Sequence, residues 1–408
     1  MNIWFIGFFF GIWLSPLLND RYGRKIGFIV GNAFSLLASI LRFLAIILKV
    51  PELLFVGRAI ASVMAAVTYQ SLILFLQECS PTDLRGMLSL MSEISYSSMC
   101  ALGMFLGTNQ IFGHKLSFLL GFAIIPSEFT LVVLFPIPDT PKYLYITKRD
   151  REAAIKSITF FQGRDANVEE EDLKSTSSLK EILTTPYIRK AICLSFLALE
   201  NTVPLWSLLL SSTEFLRHVN LEDNVAAWTS TGMTILYIVG TVIGFFAVER
   251  FKRRILLIGL SSLNNTILLL YVVFELLNKA VDGIKYGCMA CLLLYGLTYG
   301  CGVGSLSWIL SLELVPQRHR SLVQSLCYSL NTVMVVISTF VILPLYEKIN
   351  SFAFLVLYIA PSTYSIFYMI RFLPETSKRE VFDIVEDLKG RRVGKIVEEV
   401  SIDSSEMY

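Results

Sequence analysis

Charge is scarce in this chain. Aspartate, glutamate, lysine and arginine make up 17% of its 408 residues, against 54% for the hydrophobic types, and the mean hydropathy is +0.62. A soluble domain devotes about a quarter of its residues to charge, so a chain this long and this poor in polar surface belongs in a bilayer. Histidine is also rare. His114, His218 and His319 sit in three separate loops, which gives no catalytic cluster. A net charge of +2 leaves no electrostatic footprint for nucleic acid. The seven cysteines are an odd number and lie mostly inside apolar runs, which excludes a disulfide scaffold. Cys288-x-x-Cys291 has no second pair and no nearby histidine, so no zinc ligand set is complete. The glycines from Gly300 to Gly304 follow no strand and read as close helix packing or a hinge, not a phosphate cradle. No cofactor, metal or catalytic residue is expected. Residues 1 to 18 lack a basic start and a small-residue cleavage site, so they read as a span and not as a signal peptide.

What the chain has in abundance is long apolar runs. A span needs about 20 mostly apolar residues, and such windows fall near 2–18, 26–48, 52–76, 88–110, 116–135, 189–213, 227–247, 255–277, 286–312, 323–346 and 352–373, which makes eleven. Lysine and arginine separate the alternate loops into a set holding 26 of them and a set holding six. By the positive-inside rule the rich side is cytoplasmic, so the N-terminus starts outside and the C-terminus ends in the cytoplasm.

The basic loops repeat. Asp20-Arg21-Tyr22-Gly23-Arg24-Lys25 returns as Glu249-Arg250-Phe251-Lys252-Arg253-Arg254. Glu78 with Arg85 returns as Glu313 with Arg320, and Pro138-Asp139-Thr140 returns as Pro374-Glu375-Thr376. Three matches in the same order and at nearly one offset mark a tandem duplication, and parallel repeats of six helices build one class of secondary transporter. In the second half the span 189–213 lies ahead of the one that ends at Glu249, and in the first half, where only 19 residues precede Asp20, it has no counterpart. The pattern therefore implies a twelve-helix plan without its first helix.

These loops resemble those of the sugar porter family of the major facilitator superfamily, the glucose-transporter-like proteins, over nearly the whole chain. Gly57-Arg58, Glu78-x-Ser80-Pro81-x-x-x-Arg85-Gly86 and Pro138-Asp139-x-Pro141-Lys142-Tyr143 carry the resemblance in the first half. Glu313-Leu314-x-Pro316-x-x-x-Arg320 and Pro374-Glu375-Thr376 with Phe382 carry it in the second. The resemblance implies an all-α membrane protein with the major facilitator fold, two six-helix bundles with helix 1 absent and eleven transmembrane helices. The expected units are an N-terminal bundle over 1–137, a cytoplasmic linker over 138–188, a C-terminal bundle over 189–373 and a cytoplasmic tail over 374–408. The implied function is transport of a hexose or other monosaccharide by alternating access, by facilitated diffusion or coupled to protons, most naturally in the plasma membrane. The partners are then a small-molecule solute and the lipid bilayer, with no nucleic acid. A carrier of another organic solute such as a cation, or a non-transporting truncated protein or sensor, is the alternative.

Two sets of residues are candidates. For a cytoplasmic gate, Arg24, Glu78 and Arg85 are expected to face Glu249, Arg253, Glu313 and Arg320, since acidic groups at helix ends beside arginines form charge-assisted bonds that must separate on opening. For the substrate, positions carried over from the family fall on Glu93, Glu200, Tyr237, Trp308 and Asn331. Family amides are replaced at Leu199, Leu205, Tyr237, Glu93 and Glu200, and the family's acidic helix 10 position is Gly300. A carboxylate at mid-span costs roughly 2.5 to 3.5 kcal/mol unless it is paired or lines water. Arg58 is the expected partner for Glu93 or Glu200, and these carboxylates favour an amine-bearing solute or act as proton sites.

Overall fold

The computed structural model describes residues 2–81, 85–107, 111–163, 179–278, 283–377, 379 and 381–390. The first half opens with four long helices, α1 (Asn2–Tyr22), α2 (Arg24–Ile47), α3 (Pro51–Cys79) and α4 (Arg85–Leu106), and a fifth span in two pieces, α5 (Leu116–Phe122) and α6 (Ile124–Leu134). Three short helices follow, α7 (Pro141–Ile146), α8 (Arg151–Gln162) and α9 (Leu179–Thr184). The second half opens with a broken span, α10 (Pro186–Glu200) and α11 (Val203–His218), then α12 (Asp223–Arg250) and α13 (Arg253–Leu277). Next, α14 (Lys285–Thr298) runs through a π-turn at Tyr299–Val303 into α15 (Gly304–Glu313), and α16 (Gln317–Ile349) follows. A last span joins α17 (Phe352–Phe354) through a second π-turn at Leu355–Ile359 to α18 (Ala360–Phe372), and α19 (Val381–Lys389) lies beyond it. Among the described residues there is no strand.

All eleven expected segments fold as helices, and ten are long and apolar enough to cross a membrane. The remaining one is α4, which has 22 residues but includes Glu93 and five serines that dilute its apolar character. Hydrocarbon offers no partner for backbone N–H and C=O groups, which leaves helices or a closed barrel, and apolar runs of about 20 residues fit the helix, in which each span satisfies its own backbone. Pro51, Pro141 and Pro186 start α3, α7 and α10, where a missing N–H costs nothing. Large apolar side chains such as Phe10, Phe129, Phe246 and Phe367 remain exposed, as a lipid-facing surface requires.

Close packing within each half runs through glycines four residues apart. A Cβ on Gly240 would lie 2.1 Å from the Leu297 carbonyl oxygen, and one on Gly300 would lie 2.4 Å from that of Tyr237, so α12 meets α14 and its π-turn backbone to backbone. Gly7 and Gly11 let α1 approach Ser62 and Val63 of α3 in the same way. Small residues at this spacing replace the hydrophobic driving force that lipid removes. Of the two sequence readings of Gly300 to Gly304, close packing describes Gly300.

The short helices between the halves divide. On the first half, Ser157 Oγ of α8 donates to the Asp139 carbonyl (2.7 Å), and the Phe161 and Phe75 rings meet edge to face at 5.7 Å. On the second half, Ile182 of α9 is fully buried in a cluster with Ile188 and Leu194, and Glu181 Oε1 lies 3.8 Å from His319 Nε2. Residues 164–178 of the expected linker lie outside the described residues.

Candidate functional site

A cavity of about 310 Å³ lies at mid-depth between the halves. The first half supplies side chains from α1, α3 and α4, among them Tyr69, Glu93 and Tyr96. The second supplies Trp206 of α11, Tyr237 of α12, Trp308 of α15 and Asn331 of α16. Of the fifteen lining residues among those described, nine are aromatic and none is basic. Toward the end bearing the basic loops the cavity is shut: Tyr69 packs edge to face on Trp308 (5.8 Å), Trp308 does so on Tyr328 (4.6 Å), and Ile73 and Leu74 of α3 cluster with Leu312 of α15.

Four of the five sequence-derived substrate residues therefore share one cavity, namely Glu93, Tyr237, Trp308 and Asn331. Tyr237 OH donates to Glu93 Oε1, a bond that joins α12 of one half to α4 of the other. One helical turn on, the Ser97 and Thr241 hydroxyls lie 3.4 Å apart across the same seam. Asn331 Nδ2 donates to the Leu199 carbonyl (3.0 Å), so its amide hydrogens are partly committed to holding α10. Glu200 does not line the cavity. It ends α10 at the break before α11, is 6% exposed, and its Oε2 has no hydrogen-bond partner among the described residues.

The expected pairing with Arg58 does not occur. Arg58 is exposed, while Glu93 takes its hydrogen bond from Tyr237. The reason is reach, since Glu93 faces the seam and Arg58 lies about two turns from the start of α3 on an exposed face. The sequence reading missed Tyr69, Tyr96, Trp206 and Tyr299. Spacing could have found two of them, for Tyr96 is one turn after Glu93 and Tyr299 directly precedes Gly300.

At the basic end the expected gate residues form ion pairs inside each half, not across the halves. Arg24 donates through Nε (3.0 Å) and Nη2 (2.9 Å) to Glu78 Oε1, and Thr140 Oγ1 donates to Glu78 Oε2 (2.6 Å). Arg253 pairs with Glu313 in the second half. The duplication extends to the backbone: the Lys25 N–H donates to Asp139 Oδ1 (3.1 Å) as that of Arg254 does to Glu375 (3.4 Å). Lys25 Nζ reaches the Phe135 carbonyl (2.9 Å) as Arg254 Nη2 reaches that of Ile370 (2.6 Å). Arg320 Nε donates to the Leu312 carbonyl (2.9 Å). The side chains of Arg85 and Glu249 lie outside the described residues. Pairing within a half follows from the fold, because each arginine opens a helix beside the end of the helix that carries its own glutamate. Gly23 permits this approach in the first half: at φ +104° it turns between α1 and α2, and a Cβ there would strike Asp139 Oδ2 at 2.1 Å.

Burial pushes the Asp139 carboxyl above its ordinary value, and the N–H groups of Thr140 and Lys25 oppose that shift. Among the described residues no group of histidine, cysteine, aspartate or glutamate could hold a metal.

The sequence model of the family described as "Sugar (and other) transporter" matches residues 1–388. Facilitated glucose transporter protein 1 of Caenorhabditis elegans is 22% identical, over 96% of this chain and 80% of its own length. Glucose transporter GlcP of Staphylococcus epidermidis is 23% identical, over 95% and 87%. Among solved structures, the major facilitator superfamily proton:xylose symporter XylE bound to 6-bromo-6-deoxy-D-glucose aligns with a TM-score of 0.74 at 14% identity, covering 94% of this chain and 87% of that one. That likeness gives the fold, which is the major facilitator fold.

Proposed function

The chain belongs to the sugar (and other) transporter family, and from that premise we propose that this multi-pass membrane protein carries a monosaccharide by alternating access through the cavity between its halves. The observation that supports it best is the composition of the cavity wall. Both halves contribute to it, and between the halves lie the Tyr237–Glu93 bond, the Ser97–Thr241 pair and the apolar contact of Ile73 and Leu74 with Leu312, side-chain contacts that rocking can exchange so that one side opens as the other closes with each bundle intact. Glu93, Tyr237, Trp308 and Asn331 contact the solute. Arg24, Glu78, Arg253, Glu313 and Arg320 hold the helix ends that form the cytoplasmic gate, and Arg85 and Glu249 are assigned to it from the sequence repeat. No covalent chemistry is needed. The basic loops face the cytoplasm, the N-terminal end faces outward, and the plasma membrane is the proposed location.

Glu200 is the proposed proton site. It is buried and unpartnered at a helix break, the kind of place where a carboxylate changes charge only when water reaches it. One experiment tests both parts, namely uptake of labelled hexoses and pentoses by the purified protein in liposomes, with and without an inward proton gradient. Saturable uptake selective for one stereoisomer is expected, rising above the equilibrium level under the gradient in the wild type but not in Glu200→Gln. Absence of saturable sugar uptake overturns the carrier assignment. Equal end levels with and without the gradient overturn the proton assignment alone.

A further inference from the structure

We propose that the preferred solute of the cavity is a monosaccharide bearing a protonated amine, an aminohexose, with Glu93 as its counter-ion. This rests on the carrier reading above. Among the described residues Glu93 is the one acidic residue in the cavity wall, and no basic residue lines the cavity with it. It is 5% exposed, and its polar partner among the described residues is the neutral Tyr237 hydroxyl. A carboxylate held at mid-span without a cation is expensive, and a bound ammonium supplies the missing charge where the wall provides none.

The hydrogen-bond inventory points the same way. The non-aromatic polar residues of the wall are Glu93, Asn331 and Thr332. Asn331 Nδ2 donates to the Leu199 carbonyl (3.0 Å), Thr332 Oγ1 donates to the Tyr328 carbonyl (2.8 Å), and Tyr237 OH donates to Glu93. Apart from the second Nδ2 hydrogen of Asn331, these donors are engaged within the protein, while the acceptors on Glu93 and the amide oxygen of Asn331 remain. A neutral hexose presents hydroxyls that each need a donor as well as an acceptor, whereas an ammonium brings three donors and asks only for acceptors. The rest of the wall is suited to such a ligand, for aromatic faces attract a cation within about 6 Å. Tyr69, Tyr96, Trp206, Tyr299 and Trp308 also offer flat apolar surface to the C–H face of a pyranose. A volume of about 310 Å³ has room for a monosaccharide.

The test compares uptake of labelled glucosamine, glucose and N-acetylglucosamine by the purified full chain in liposomes, at a pH where the free amine is protonated, for the wild type, Glu93→Gln and Glu93→Asp. We expect the wild type to favour glucosamine over both neutral sugars by about tenfold or more, the range of one hydrogen bond to a charged group. We expect Glu93→Gln to bring the ratio near one and Glu93→Asp to keep the preference, since it retains the charge. Tryptophan fluorescence titrated with each sugar gives the same ranking without transport and shows that each variant is folded. A wild type that takes glucose as well as glucosamine, or a preference that survives Glu93→Gln, overturns the aminohexose assignment and leaves the carrier reading standing. Uptake of none of the three by folded protein that carries another hexose or pentose overturns the aminohexose assignment alone, and uptake of no sugar at all removes the carrier reading and this inference with it.

Discussion

Asp139 shows how one residue joins three elements. Its Oδ1 accepts the N–H of Lys25 at the start of α2 (3.1 Å) and that of Thr140 (2.7 Å), while its carbonyl accepts from Ser157 of α8 (2.7 Å). Burial raises its carboxyl above the ordinary value of about 3.9, so the ionised form is disfavoured in the folded protein. The favourable contribution is thus fully present below the unfolded value and is lost as pH rises through the folded one. An asparagine keeps the accepting oxygen and has no charge to desolvate. Asp139→Asn should therefore match the wild type near pH 4 and exceed it in melting temperature at pH 7. Melting curves in detergent across that range check this, and a variant less stable than the wild type at pH 7 would contradict it. Glu78 of the same node receives hydrogen bonds from Arg24 and Thr140.

At the scale of elements, the interface of α12 with α14 and its π-turn depends on what Gly300 lacks. A Cβ there would lie 2.4 Å from the Tyr237 carbonyl oxygen and 2.8 Å from the Thr241 nitrogen, both backbone atoms that cannot turn aside. Gly300→Ala must push the helices apart and shift Tyr237 away from Glu93, at a cost of about 1 to 3 kcal/mol for the overpacking. Gly103 in α4 is the matched control, since nothing lies within 4 Å of its added Cβ. Gly103→Ala should be neutral or slightly stabilising, because alanine is the better helix former by about 1 kcal/mol. Thermal melts of the two variants, with sugar-induced tryptophan quenching as a second readout, distinguish them. Equal behaviour would refute the packing argument. The sequence showed the glycines but left open whether they were packing or hinge, because a spacing of four does not say which helix lies opposite.

For the whole molecule, function requires the two halves to move relative to one another. Ser97 of α4 and Thr241 of α12 face each other across the seam, with hydroxyl oxygens 3.4 Å apart. A disulfide between Ser97→Cys and Thr241→Cys would fasten the halves at that height. We expect uptake by the double variant to fall at least about tenfold under oxidation, the slowing that follows when a gating motion is held, and to return on reduction, with each single variant unaffected. Uptake that persists through a verified cross-link would show that the halves do not rock at this seam. The linker fits the same picture, with α8 fixed to the first half and α9 to the second.

Composition decided that this chain lives in lipid, and the length of its apolar runs decided that it is helical, since hydrocarbon admits only helices and closed barrels and a run of about 20 apolar residues fits the helix. The repeated loops decided the duplication, and the structure repeats it down to Lys25 and Arg254 reaching matching carbonyls. Partners are another matter. Charge pattern named Arg24, Glu78, Arg253 and Glu313 but set them against each other across the halves, whereas each arginine pairs with the glutamate of its own half. Glu93 was legible as a carboxylate in a span, yet its bond to Tyr237, its distance from Arg58 and its aromatic surroundings were not. Those depend on how helices far apart in the chain rotate and cross, and only the packed bundle fixes that rotation, because side chains buried at a shared seam must interlock with the helix opposite.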